Sequence, residues 1–96
     1  MRRIYKYPIE LVEDQMLILE AGWQVRCVGV QDGRICLWIE VWSELPDTST
    51  EEVMVYVRGT GHRVPLVPKY AGTVFMDDFV WHIYVGKGEK CDAEST

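Results

Sequence analysis

Two apolar runs separated by an Asp-Gly dipeptide constrain this chain more than any other feature. Residues 23–30 and 35–42 flank Gln31-Asp32-Gly33-Arg34. Asp-Gly tolerates the positive φ that both central positions of a type I′ turn require, so the two runs read as one β-hairpin with a two-residue loop. The loop length fixes the register. On one side Val30 faces Ile35, Val28 faces Leu37, Arg26 faces Ile39 and Gln24 faces Val41. On the other, Gly29 faces Cys36, Cys27 faces Trp38, Val25 faces Glu40 and Trp23 faces Trp42. The first side is mostly aliphatic and is the expected core face. The second gathers Trp23, Trp38, Trp42 and Cys27 around Glu40. Such a face packs beneath a second sheet, stacks a planar ligand or covers itself with another subunit. Buried there, Glu40 needs a cation. Arg58 or Arg26 can supply it, although this register puts Arg26 on the opposite face.

A second hairpin is expected near the end. Residues 70–76 and 79–85 flank Asp77-Asp78, a pair that suits a turn because Asp side chains bond nearby backbone. His82 then lies across from Thr73, and Val74 from Trp81. Residues 53–57 (Val-Met-Val-Tyr-Val) are β-branched and aromatic, hence strand-like. Residues 43–52 read as a loop with room for one helical turn, and residues 62–69, which hold Pro65 and Pro68, as an extended connection. Pro8 ends or edges a first strand. Residues 9–20 fit a strand better than a helix, although Ile9, Val12, Met16 and Leu19 also recur at helical spacing. The expected fold is all-β: a small antiparallel sandwich or open barrel of six to seven strands, with one short helix as an option. Residues 1–86 form one domain, and 87–96 a flexible acidic tail.

The 96 residues carry a formal charge of −5, a balance that disfavours direct nucleic-acid binding. No run approaches the ~20 apolar residues of a membrane span, and no apolar signal segment follows Arg2-Arg3. The expected setting is cytoplasmic. Three cysteines, Cys27, Cys36 and Cys91, form neither a disulfide framework nor a zinc motif. Cys27 and Cys36 sit diagonally in the hairpin, a poor geometry for a disulfide.

Chemistry concentrates in Arg58-Gly59-Thr60-Gly61-His62-Arg63. Glycines let backbone N–H groups approach an anion, and Arg58, Thr60, His62 and Arg63 add donors. The same segment also reads as a plain strand-end turn. It is not a Walker loop, since Gly-Lys-Ser/Thr is missing. His82 is a second candidate, as a ligand contact or as a hydrogen-bonded structural histidine. Trp38, Trp42 and Trp81 are candidate stacking surfaces for a base. No nucleophile elbow, no His-Glu-x-x-His and no recognisable Cys-His pair is present, so neither catalytic residue nor cofactor is expected.

Ile4-Tyr5-Lys6-Tyr7-Pro8, Cys36-Leu37-Trp38, Gly59-Thr60-Gly61-His62, Gly72-Thr73-Val74 and Val80-Trp81-His82, in this order, resemble a family of short bacteriophage and prophage proteins, a domain of unknown function. The likeness spans about residues 3–84. The chain departs from it at Asp77-Asp78, where a glycine turn is usual, at Trp42 and in the acidic tail. The resemblance implies a phage accessory protein in a bacterial cytoplasm, of a kind that often antagonises host defence. The expected function is a homo-oligomeric, non-enzymatic binder that sequesters a small anionic, nucleotide-like ligand. An acidic inhibitor that docks on a host defence protein, and a minor virion component, are the alternatives.

Overall fold

The computed structural model describes residues 1–42, 49–66 and 68–87, and it is all-β. Seven strands run β1 (Arg2–Pro8), β2 (Asp14–Glu20), β3 (Gln24–Gln31), β4 (Arg34–Trp42), β5 (Thr50–Gly59), β6 (Lys69–Met76) and β7 (Phe79–Lys87). They form two antiparallel sheets, β1-β4-β3 and β2-β5-β7-β6. The described residues contain no helix and no closed barrel, so a two-layer sandwich is the architecture. Residues 9–20 resolve to a link and a strand. The segment read as a loop is shorter than expected, since Thr50, Glu51 and Glu52 belong to β5; residues 43–48, and any helical turn there, lie outside the described residues. β7 reaches Lys87, one residue into the expected tail, and residues 88–96 also lie outside.

The core follows from alternation along β4. Ile35, Leu37, Ile39 and Val41 point inward and are buried, as are Val53, Val55 and Val57 of β5, Val74 of β6, and Ile83 and Val85 of β7. Each such side chain contributes roughly 1.5–3 kcal/mol of burial. The neck of the first hairpin is as expected. Asp32 and Gly33 take φ of 55° and 75°, and Gln31, Val30, Gly29, Val28 and Cys27 face Arg34, Ile35, Cys36, Leu37 and Trp38.

Beyond Cys27 the register slips. A bulge between Val25 and Cys27 sets Val25 against Ile39 and Gln24 against Glu40. The physical reason is the charge on Arg26. An unbroken ladder would aim Arg26 at the core and Val25 at solvent; the extra residue exchanges them. Trp23 is carried with the shift. It precedes β3, packs partly buried against the core, and donates its indole N–H to Glu51 Oε1 at 2.9 Å, so it does not join Trp42 on the outer face.

The second hairpin turns at Asp77-Asp78, with Asp77 at φ 57°, Met76 facing Phe79, Thr73 facing His82 and Val74 facing Trp81. A second bulge lies between Tyr70 and Gly72. There β6 meets β3: a Cβ on Gly72 would lie 3.1 Å from Val28 Cβ. These two strands pack together and close one side of the sandwich.

β5 and β6 both run antiparallel to β7, so they are parallel to each other, and the chain between them must cross the sheet. It crosses the outer face. A Cβ on Gly86 would lie 2.9 Å from Pro68 Cα, so only glycine lets the connection lie this close to β7. Tyr56, on the same outer face, is buried.

Candidate functional site

β5 delivers the glycine turn to one end of the four-stranded sheet. Gly61 has φ 91°. The His62 amide donates to Gly59 O at 3.0 Å, and the Gly59 amide donates to His62 Nδ1 at 3.2 Å. Two of the amides expected to cradle an anion are thus engaged within the turn. His82 stands beside it, because the strand registers place it between Arg58 and Thr73. Its Nε2 lies 2.9 Å from Thr60 Oγ1 and its Nδ1 3.0 Å from Thr73 Oγ1, and Thr73 Oγ1 is hydrogen-bonded in turn to the Tyr70 hydroxyl. Hydroxyls donate or accept, so this chain holds the ring in either tautomer. Trp81 faces the other way, half-buried against the core and 5.8 Å from the Phe79 ring, and its indole N–H is buried without an acceptor.

Arg58 is committed to the fold. Its Nε donates to Arg63 O at 2.9 Å, its Nη1 to Glu13 O at 2.6 Å and Val57 O at 3.2 Å, and its Nη2 pairs with Asp14 Oδ1 at 2.9 Å. The guanidinium carbon lies 5.6 Å from the Tyr56 ring centre, and only 14% of the side chain is exposed. One residue therefore ties the crossing connection, the start of β2 and its own strand together. Arg63 and His62 remain exposed at the turn.

The tryptophans divide. Trp38 and Trp42 lie on the outer face of the three-stranded sheet, directed away from the sheet that carries the glycine turn. They do not meet Arg58, Thr60, His62, Arg63, Trp81 or His82. Around them Arg26 reaches Glu40 at 2.8 Å and Arg2 reaches it at 3.0 Å, while the Arg2 guanidinium carbon lies 5.4 Å from the Trp42 ring centre. The hydrogen bond from Arg26 holds the Glu40 carboxyl below its ordinary range, outweighing desolvation, and Arg2 adds to the effect. Of the two cations expected to serve Glu40, the bulge selects Arg26. Cys27 and Cys36 are free thiols.

A concavity lies elsewhere among the described residues, at the opposite end of β7. It is an open groove of about 830 Å³ where β3 meets the start of β6. Trp23, Arg26 and Glu51 line it from one side, and Lys69, Tyr70 and Ala71 from the other. Arg26, Lys69, Trp23 and Tyr70 are thus among its lining residues, with the Arg26 Nε held by Glu40 and the Tyr70 hydroxyl by Thr73. Arg26, Lys69, Tyr70 and Glu51 were not expected as ligand contacts. Trp23 was expected on a face able to stack a planar ligand, but with Trp38 and Trp42, from which the bulge separates it. Among the described residues no cluster of His, Cys, Asp or Glu is arranged to hold a metal ion, and no helix is long and apolar enough to cross a membrane.

Residues 1–93 match a family described as Domain of unknown function (DUF7352), a span that covers both sheets. This chain belongs to that family. The family's description assigns no activity, so chemistry has to be argued from the geometry above. No curated protein and no solved structure matches the chain.

Proposed function

We propose that this member of the family is a binding protein that holds a small anionic, ring-bearing ligand without turning it over, and that the ligand lies in the groove between β3 and β6. The observation that carries this reading is the composition of that groove: Arg26 and Lys69 beside Trp23 and Tyr70 in a cleft of about 830 Å³. Small-molecule sites occupy roughly 300–1,000 Å³ and combine apolar walls with a few placed polar groups. A phosphate gains charge-assisted bonds from the two cations, and a base stacks on an aromatic wall for about 1–3 kcal/mol.

A nucleotide fits this chemistry. In the bacteriophage setting that the sequence resemblance implies, the ligand is a nucleotide immune signal of the host, removed from the bacterial cytoplasm by a homo-oligomeric binder. The glycine turn, with Thr60, His62, Arg63 and His82, is the rival place for the phosphate.

Calorimetry with cyclic and ADP-ribose-type nucleotides tests the proposal. One of them binds, Lys69→Glu weakens it at least tenfold, and His62→Ala with Arg63→Ala leaves it unchanged. The reverse pattern moves the site to the turn, and no heat from any nucleotide removes the ligand class. A second reading, docking onto a host defence protein, draws on Ile4 and Trp42, which are 55% and 42% exposed on the outer sheet. Loss of a stoichiometric host partner on Trp42→Ala is its test.

A further inference from the structure

We propose that two copies of this chain associate through their β1 and β2 edges, crosswise, so that β1 of each copy extends the four-stranded sheet of the other. The inference starts from the four strands that end the sheets: β1 and β3 in one, β2 and β6 in the other. Unpaired edges are templates for further strands, and proteins blunt the ones they do not use with bulges or by covering them. β3 and β6 are blunted both ways. Each carries a bulge, and the two pack against each other. β1 and β2 carry none: seven residues of β1 pair without interruption along β4, and seven of β2 along β5. Both regular edges lie on the side of the sandwich away from the β3–β6 contact.

Charge selects the pairing. β1 carries Arg2, Arg3 and Lys6 and no acid, whereas β2 carries Asp14 and Glu20, with Glu13 before it, and no base. A two-fold axis perpendicular to the sheets would set β1 against β1 and β2 against β2, basic on basic and acidic on acidic. A two-fold axis parallel to the strands, midway between the layers, sets β1 against β2 twice, and every edge meets its opposite sign. Like charges across a strand pair destabilise it and opposite charges favour it.

Direction is compatible as well. The link of five residues between Pro8 and Asp14 spans at most about 18 Å. Crossing between layers takes roughly 10 Å. The proposed arrangement has β2 start near the end of β1 and run back, which makes the crossed pairs antiparallel. Equal strand lengths place Arg2 opposite Glu20 and Ile4 opposite Ile18, with Lys6 opposite Met16 on the same outer face. In the single chain Ile4, Met16 and Ile18 are 55%, 49% and 54% exposed, a large apolar edge to leave in water.

This pairing uses none of the groove, which opens on the opposite side, so the two proposals fail separately. Sedimentation equilibrium from low micromolar to near-millimolar concentration is the first test. The expected result is a dimer that weakens as salt rises, because the edge charges are exposed. Met16→Lys with Ile18→Lys changes only exposed side chains and is expected to give a monomer with an unchanged far-ultraviolet spectrum. In a Cys27→Ser, Cys91→Ser background, oxidising a mixture of Ile4→Cys and Ile18→Cys chains is expected to yield mainly the mixed disulfide. A monomer throughout the concentration range overturns the proposal. So does a dimer that survives the paired lysines, or an Ile18→Cys chain that preferentially cross-links to itself.

Discussion

Replacing Arg58 by methionine separates a brace from a ligand contact. Methionine keeps an aliphatic stem near Tyr56 but removes every donor. Three bonds then lose their charge-assisted donor, those to Glu13 O at 2.6 Å and Arg63 O at 2.9 Å and a longer one to Val57 O at 3.2 Å. Hydrogen bonds from a charged group are worth about 1.5–3 kcal/mol each. The Glu13 and Arg63 carbonyls lie near the surface and recover part of that from water. The Asp14 partner is 52% exposed, so its ion pair adds only about 0–1 kcal/mol. The expected loss is about 2–4 kcal/mol. With a urea dependence of about 2 kcal/mol per molar, the middle of the range for small proteins, the midpoint falls by roughly 1–2 M. Urea melts followed by tryptophan fluorescence measure it. Arg58→Lys is expected to recover only part of the loss, because one ammonium cannot serve Glu13, Arg63 and Asp14 together. Asp14→Asn is expected to cost under about 1 kcal/mol. A methionine variant within about 0.5 kcal/mol of the parent, the scatter of an ordinary surface substitution, would refute the brace.

Other expectations follow from single contacts. Gly86→Ala forces Pro68 off β7 and is expected to cost about 1–3 kcal/mol in the same melts. Glu40 contributes stability above the ordinary carboxylate value near 4.5 and loses it as pH falls through its lowered value. The stability gap between the parent and Glu40→Gln is therefore expected to close below about pH 4.5. Tyr7 has the opposite sign: burial, with the charge of Glu20, raises its phenol above 10.0, so its contribution persists through neutral pH and is lost in alkali. Tyr7→Phe is expected to flatten the alkaline limb of stability against pH.

The fold was legible where local chemistry and burial agree. Asp32-Gly33 dictates its turn, and the aliphatic alternation of β4 names the core before any tertiary information is needed. Even Asp77-Asp78, without glycine, holds the register that sets His82 against Thr73 and Trp81 against Val74. What the sequence hid were the two bulges, since an extra residue changes no local propensity. The first left one trace, Arg26 aimed at Ile39, a charge in an aliphatic stripe. Read as a contradiction rather than accepted, it predicts the slip that hands Arg26 to Glu40. The site was less legible because its parts lie on different faces. Period-two alternation places Trp38 and Trp42 together but says nothing of which sheet lies beneath them. Arg58 reads as a phosphate ligand until Glu13, Asp14 and Arg63 are seen to converge on it, and convergence of distant segments has no local signature. The groove is of the same kind, built from residues 23–26, 51 and 69–71, which meet only because β3 and β6 close one side of the sandwich.

The occupancy of that cleft is best tested by an amide and indole nitrogen–proton correlation spectrum recorded during titration with the tightest-binding nucleotide. The Trp23 indole and the amides of Lys69, Tyr70 and Ala71 are expected to shift together and saturate with one affinity, while Thr60, Gly61 and Arg63 stay in place. Saturation at Thr60, Gly61 and Arg63 with Trp23 and Lys69 unmoved would contradict the account.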